Sequence, residues 1–121
     1  MEKKKTLVIG ASPNPARYSY LAVQKLYAHQ HPVIALGIKK GAIGNTEIEI
    51  EKKAFEQIDT ITLYINPFRQ KDYYDYILAL QPKRIIFNPG TENEELAMVA
   101  QQKWIKTMES CTLVLLSTGQ Y

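Results

Sequence analysis

Thr6-Leu7-Val8-Ile9-Gly10-Ala11-Ser12-Pro13-Asn14-Pro15 is the stretch that decides the fold, because four strand-forming residues run straight into a glycine, two small residues and two prolines. An apolar run with no polar alternation predicts a strand covered on both faces rather than wet on one. The turn formers behind it end the strand. After Arg17 the spacing changes, and Ala22, Val23, Leu26 and Tyr27 share one face of a predicted helix, with Ser19 as its cap. Pro32 separates this helix from Val33-Ile34-Ala35-Leu36, a second buried run closed by Gly37. Strand, helix and strand in that order are the unit from which parallel sheets are built.

The rest of the chain repeats the unit. Glu47 to Glu51 alternates strictly and reads as a short half-exposed strand or an extended loop, and Ala54 to Ile58 as a helical turn. Thr60 to Ile65 is a strand stopped by Asn66-Pro67, and Lys71 to Leu80 is helical, with Tyr73, Tyr74, Ile77 and Leu78 at helical spacing. Arg84 to Phe87 is a strand stopped by Asn88-Pro89-Gly90, Glu92 to Lys103 a helix with Leu96, Val99 and Ala100 inside, and Ile105 to Met108 a last strand. The tail from Thr112 fits either class. The prediction is one domain over residues 1–121, an α/β, doubly wound, Rossmann-like parallel sheet of about five strands with helices on both faces.

Composition narrows the function classes. With 121 residues the chain fills one ordinary domain and leaves no length for a second lobe. One cysteine and two histidines supply neither a disulfide nor a four-ligand zinc site, so no metal is expected. No apolar run approaches the roughly 20 residues of a membrane helix, and no signal-like segment follows the basic start, so a cytoplasmic location and no membrane partner are expected. A net charge of +3 is too small to argue for a nucleic-acid partner. A small anion is the expected ligand.

In a doubly wound sheet, ligands sit outside the carboxyl ends of the strands, where strand order reverses. That rule selects the candidates. Gly10, Ala11, Ser12 and Pro13 follow the first strand, where backbone N–H groups and a helix start can hold a phosphate, and a bare Gly10 is expected to keep the approach clear. Arg17 and Ser19 stand beside them. Lys39 and Lys40 occupy the end of the second strand, where NAD binders place an acid that holds the ribose, so a ligand with an extra phosphate, NADP or coenzyme A, is favoured over NAD. Asn66, Pro89 and Gly90 end two further strands at the same edge, and Phe68 and Arg69 lie next to the first of them. His29 and His31 fall at the opposite ends of the strands. Cys111 has no predicted histidine beside it and reads as a packing residue.

Gly10-Ala11-Ser12-Pro13-Asn14-Pro15-Ala16-Arg17-Tyr18-Ser19-Tyr20, the lysine after the second strand, Pro89-Gly90 with Asn93-Glu94 beyond, and Cys111 together resemble the small single-domain CoA-binding proteins of bacteria. Their fold is similar to the CoA-binding domain of succinyl-CoA ligase alpha subunits and ADP-forming acyl-CoA synthetases. The resemblance implies that Gly10, Ala11 and Ser12 cradle the pyrophosphate of coenzyme A, with Pro13, Arg17 and Ser19 nearby, that Lys39 serves the adenosine end, and that Pro89-Gly90 is the family's Pro-Gly pair. Tyr18 stands where the family usually carries proline, as do Ala35 and Ile38. Its Phe-Arg pair falls on Tyr64-Ile65, so that arginine is missing, and Phe68-Arg69 lies four residues later. Glu109-Ser110 stands for the Asp-Arg that usually precedes the cysteine.

The sequence therefore points to non-catalytic binding of coenzyme A or an acyl-CoA through a Gly-Ala-Ser loop, a nucleotide ligand for a chain without its own reaction. The alternatives are a small NADP-dependent or nucleotide-handling enzyme, for which Cys111, Glu109 and the tyrosines are the available groups, and an interaction protein of the same fold that has lost its ligand.

Overall fold

The computed structural model describes residues 2–121. Seven strands form one sheet: β1 (Thr6–Ile9), β2 (Val33–Leu36), β3 (Ala42–Ile43), β4 (Thr46–Glu49), β5 (Thr60–Leu63), β6 (Arg84–Phe87) and β7 (Lys106–Glu109). Their spatial order is β3-β4-β2-β1-β5-β6-β7. Every pairing is parallel except that of β3 with β4. The helices are α1 (Tyr18–Ala28), α2 (Pro67–Gln70), α3 (Tyr74–Leu80), α4 (Glu94–Gln102) and α5 (Thr112–Ser117), with one 3-10 turn, Lys71–Tyr73, between α2 and α3.

The buried strands divide their side chains between two layers, as the pleat requires. Leu7, Ile9, Ile61, Leu63, Ile85 and Phe87 pack on one face with Ile77 of α3 and with Leu96 and Ala100 of α4. Val8, Ala35, Ile48 and Ile86 pack on the other with Val23 and Leu26 of α1 and with Leu115 and Leu116 of α5. Helices cover both faces, and the class is Rossmann-like α/β.

Seven strands replace the expected five because a hairpin extends the sheet beyond β2. β3 is too short to show a period, and β4 buries only Ile48 fully, pairing in parallel with Ala35 and Leu36 of β2. The two-residue connection Gly44-Asn45, with Gly44 at φ +59°, is a hairpin signal that the alternation at Glu47 to Glu51 conceals. Other boundaries also shift. Ala54 to Ile58 forms no helix. Tyr27 points outward, 55% exposed, where Asn45 donates to its hydroxyl. Helix α4 begins at Glu94, and Asn93 caps it by accepting the Leu96 N–H, so Glu92 lies outside it.

Asn88 locks the carboxyl edge of the sheet. It is buried at the end of β6, where its amide donates to Thr62 Oγ1 at 2.6 Å and to the Leu63 carbonyl at 2.9 Å, while its carbonyl oxygen accepts the Thr112 N–H at 2.9 Å. One side chain thus joins β5, β6 and the start of α5. Asn88 does more than stop a strand.

Candidate functional site

Strand order reverses beside β1: the chain leaves it for β2 on one side and later returns to β5 on the other. A cleft of about 460 Å³ opens there, at the carboxyl ends of the strands. Its lining brings together Gly10, Ala11, Ser12, Pro13, Arg17, Ser19, Lys39, Asn66, Pro89 and Gly90 from the sequence-selected residues. Lys40 is not brought there. It lines a separate groove with Glu47, Glu49 and Glu51.

The loop after β1 is held from two directions. Gly10 adopts φ +96°, and a β-carbon there would lie 2.8 Å from Ile65 Cγ2 and 2.9 Å from the Tyr64 carbonyl carbon. Gly37, after β2, packs so closely on Ala11 that a β-carbon would overlap the Ala11 carbonyl oxygen. The bare Gly10 position therefore faces the neighbouring strand end and not the cleft. This corrects the expectation that Gly10 keeps open a path for the ligand; packing and a left-handed backbone require it.

The N–H groups of Gly10 and Ala11 both donate to the Leu36 carbonyl, at 2.9 and 3.0 Å, and are spent within the protein. The donors left over lie further along. Arg17 precedes α1 with no side-chain cap, so Ser19 is the second residue of the helix and not its cap. Among the described residues the N–H groups of Ser12, Tyr18 and Ser19 meet no acceptor. These three donors lie with the positive end of the helix dipole and the Arg17 side chain at one corner of the cleft, an arrangement suited to an anion.

The facing wall runs from Asn66 to Arg69, which lies four residues past the position of the family's arginine. Asn66 caps α2 by accepting the Arg69 N–H at 2.9 Å, with Pro67 as the first helical residue, and this short turn returns Arg69 to the cleft. Asn66-Pro67 both stops the strand and starts a helix, and that second signal in the sequence places Arg69. Behind it Gln70 is fully buried, donating to the Ile65 carbonyl at 2.9 Å and to the Thr91 carbonyl at 2.8 Å and accepting from Asn93. It ties the loop after β5 to the loop after β6. No pattern in the sequence marks Gln70.

Arg17, Lys39 and Arg69 are the three cations of the cleft, and none belongs to an ion pair among the described residues; no carboxylate lines the cleft with them. Glu92, next to the lining residue Thr91, accepts the Gly90 N–H. Tyr64 lines the cleft too, but its hydroxyl is turned into the protein, and burial pushes its pKa well above the ordinary value. No histidine or cysteine contributes to the lining. His31 is buried beside Lys4, which precedes β1, at the other end of the sheet. Cys111 is half-buried at the start of α5.

A cleft at the reversal point, lined by cations and a helix start, is the setting for a phosphorylated ligand. A family model for the CoA binding domain matches residues 4–117. The chain belongs to this CoA-binding family. No curated protein is similar enough to match it. Among solved structures, this CoA-binding domain is similar to an uncharacterized protein of known crystal structure, at 49% identity over 100% of both chains with a TM-score of 0.98. A hypothetical protein from Pyrococcus horikoshii OT3 matches 96% of this chain with 83% of its own, at 20% identity and a TM-score of 0.85. Cell-free ID.343 from Thermus thermophilus matches 98% with 91% of its own, at 17% identity and a TM-score of 0.86. The last two likenesses are of fold. Among the described residues, no helix is long and apolar enough to cross a membrane, and no group of three metal-ligating side chains occurs.

Proposed function

We propose that this CoA-binding domain holds coenzyme A or an acyl-CoA in the cleft after β1, with the diphosphate on Ser12, the start of α1 and Arg17, and the adenosine 3′-phosphate toward Lys39. Gly10 and Ala11 shape this loop from behind, and Pro13 supports it. Arg69 faces the diphosphate from the second wall, beside Asn66, Pro89 and Gly90. One observation carries the reading: three cations converge on a cleft that holds no carboxylate to neutralise them, which favours a ligand bearing several negative charges. NAD fits less well, since its ribose hydroxyls call for an acceptor where Lys39 stands.

The role proposed is binding without turnover. The lining offers no histidine, cysteine, aspartate or glutamate to move a proton or attack a thioester, and its phenol nearest the switch point, Tyr64, keeps its hydroxyl inside the protein. The ligand's own thiol or thioester would supply any chemistry in a partner enzyme.

Thermal denaturation with coenzyme A, NADP and NAD tests the reading. A ligand that binds only the folded state at a hundredfold excess over its Kd adds about 2.7 kcal/mol of stability. Coenzyme A is expected to raise the melting temperature most. A larger shift with NADP would favour a nucleotide-handling enzyme, and no shift with any of the three would overturn the binding role.

A further inference from the structure

We infer that Tyr18 and Ile38 form a subsite that stacks the ligand's purine base, so that the cleft recognises an adenosine 3′,5′-bisphosphate unit as a whole. The inference rests on the coenzyme A reading and names which part of that ligand each side chain meets. Among the described residues nine large apolar or aromatic side chains are exposed, and Tyr18 and Ile38 are the two of them that line the cleft. They are 71% and 76% exposed, so neither side chain is packed into the core. A flat aromatic base laid on them would remove apolar surface from water and would present its face to the Tyr18 ring.

Their placement relative to charge specifies the ligand further. Tyr18 follows Arg17 at the start of α1, and Ile38 precedes Lys39 in the loop after β2. Each apolar contact is thus the chain neighbour of a cation, and both pairs lie on the β1–β2 side of the cleft. A base with one phosphate toward Lys39 and another toward Arg17 and the helix start matches this arrangement. Adenosine 3′,5′-bisphosphate has that distribution, whereas NAD carries phosphate on one side of its adenosine only. Stacking is also tolerant of the base, so an exposed tyrosine supplies affinity while the two cations supply selection.

The test measures affinity for coenzyme A and adenosine 3′,5′-bisphosphate by titration calorimetry on the unaltered chain, Tyr18→Ala and Tyr18→Phe. Adenosine 3′,5′-bisphosphate is expected to compete with coenzyme A. Tyr18→Ala is expected to lose roughly tenfold for both ligands, the range for removing one stacked ring, while Tyr18→Phe keeps the parent affinity. Because Tyr18 is so exposed, both variants should retain the parent melting temperature, which is read alongside. A folded Tyr18→Ala chain with unchanged affinity for coenzyme A, or a bisphosphate that does not compete, overturns the subsite and leaves the coenzyme A reading intact. An unaltered chain that binds no coenzyme A overturns both.

Discussion

The main chain of Tyr64 occupies the space that a side chain on Gly10 would need: a β-carbon there would stand 2.9 Å from the Tyr64 carbonyl carbon and 3.0 Å from its oxygen. The two residues follow the adjacent parallel strands β1 and β5, and the Tyr64 N–H donates to the Ile9 carbonyl at 2.9 Å. The sheet's reversal point is therefore closed by backbone packing, and the cleft opens above it.

Gly10→Val is accordingly expected to destabilise the fold rather than to block the ligand selectively. A branched residue at φ +96°, pressed on backbone that cannot yield, should cost roughly 3 kcal/mol. Urea denaturation of the variant measures this. A Gly10→Val chain as stable as the parent would show that the loop moves aside freely.

Lys39→Ala is expected to weaken coenzyme A about tenfold and dephospho-coenzyme A much less, since the lost charge is the one proposed to meet the 3′-phosphate. Lys40→Ala is the control, because Lys40 lines the groove beside Glu47 and Glu49. Titration of both ligands against both variants separates a local contact from a general field. Equal losses in the two variants would mean that only net charge matters.

Arg69→Ala is expected to lower coenzyme A affinity by about tenfold with little change in stability, because the side chain is exposed and free of ion pairs. Asn66→Ala removes the cap that holds the turn and should lower affinity less, together with a loss of about 1 kcal/mol in stability. Raising the salt concentration should shrink the Arg69→Ala effect, as screening acts on exposed charges. Salt-independent loss would point to shape rather than charge.

His31 gives the fold an acid-sensitive corner away from the cleft. Burial, aided by the positive charges of Lys3, His29, Lys4 and Arg84, lowers its pKa from the ordinary 6.5. Its Nδ1 accepts the Lys4 N–H at 2.9 Å, so the fold uses the neutral ring, which packs against Tyr121 with centroids 4.8 Å apart. A depressed folded pKa means that the unfolded chain takes the proton first; stability is full above pH 6.5 and falls as the pH drops below it. His31→Asn keeps an acceptor for Lys4 and does not titrate. Its urea midpoint should change less than the parent's between about pH 7 and about pH 5. Parallel curves would place the acid sensitivity in carboxylates.

Much of the architecture was legible because β1, β2 and β6 each carry at least three consecutive apolar residues, and such strands suit a sheet covered on both faces. The carboxyl-edge rule then selected ten residues that share one cleft. The β3–β4 hairpin was only half legible: the alternation at Glu47 to Glu51 marks a strand or extended loop at β4, whereas β3, two residues long, is below the length at which a period can be counted. Linear spacing puts Arg69 four residues from the family's arginine, so the family's role does not carry over to it from the sequence. A turn of α2, started by Asn66 and Pro67, brings it back, and displacement along a sequence does not measure displacement in space.

The sequence by itself determined the layers, the edge on which a ligand would sit and the family, since these depend on the order and periodicity of side chains along the chain. Only the tertiary structure decided what each residue does there. Gly10 and Ala11 turned out to give their N–H groups to Leu36, leaving Ser12, Tyr18 and Ser19 as the available donors, and Lys39 and Lys40, adjacent in sequence, came to line different grooves. The physical reason is that a hydrogen-bond donor has one direction and a β-carbon occupies one volume. Both are set by the neighbouring strand across the sheet, which lies far away along the chain.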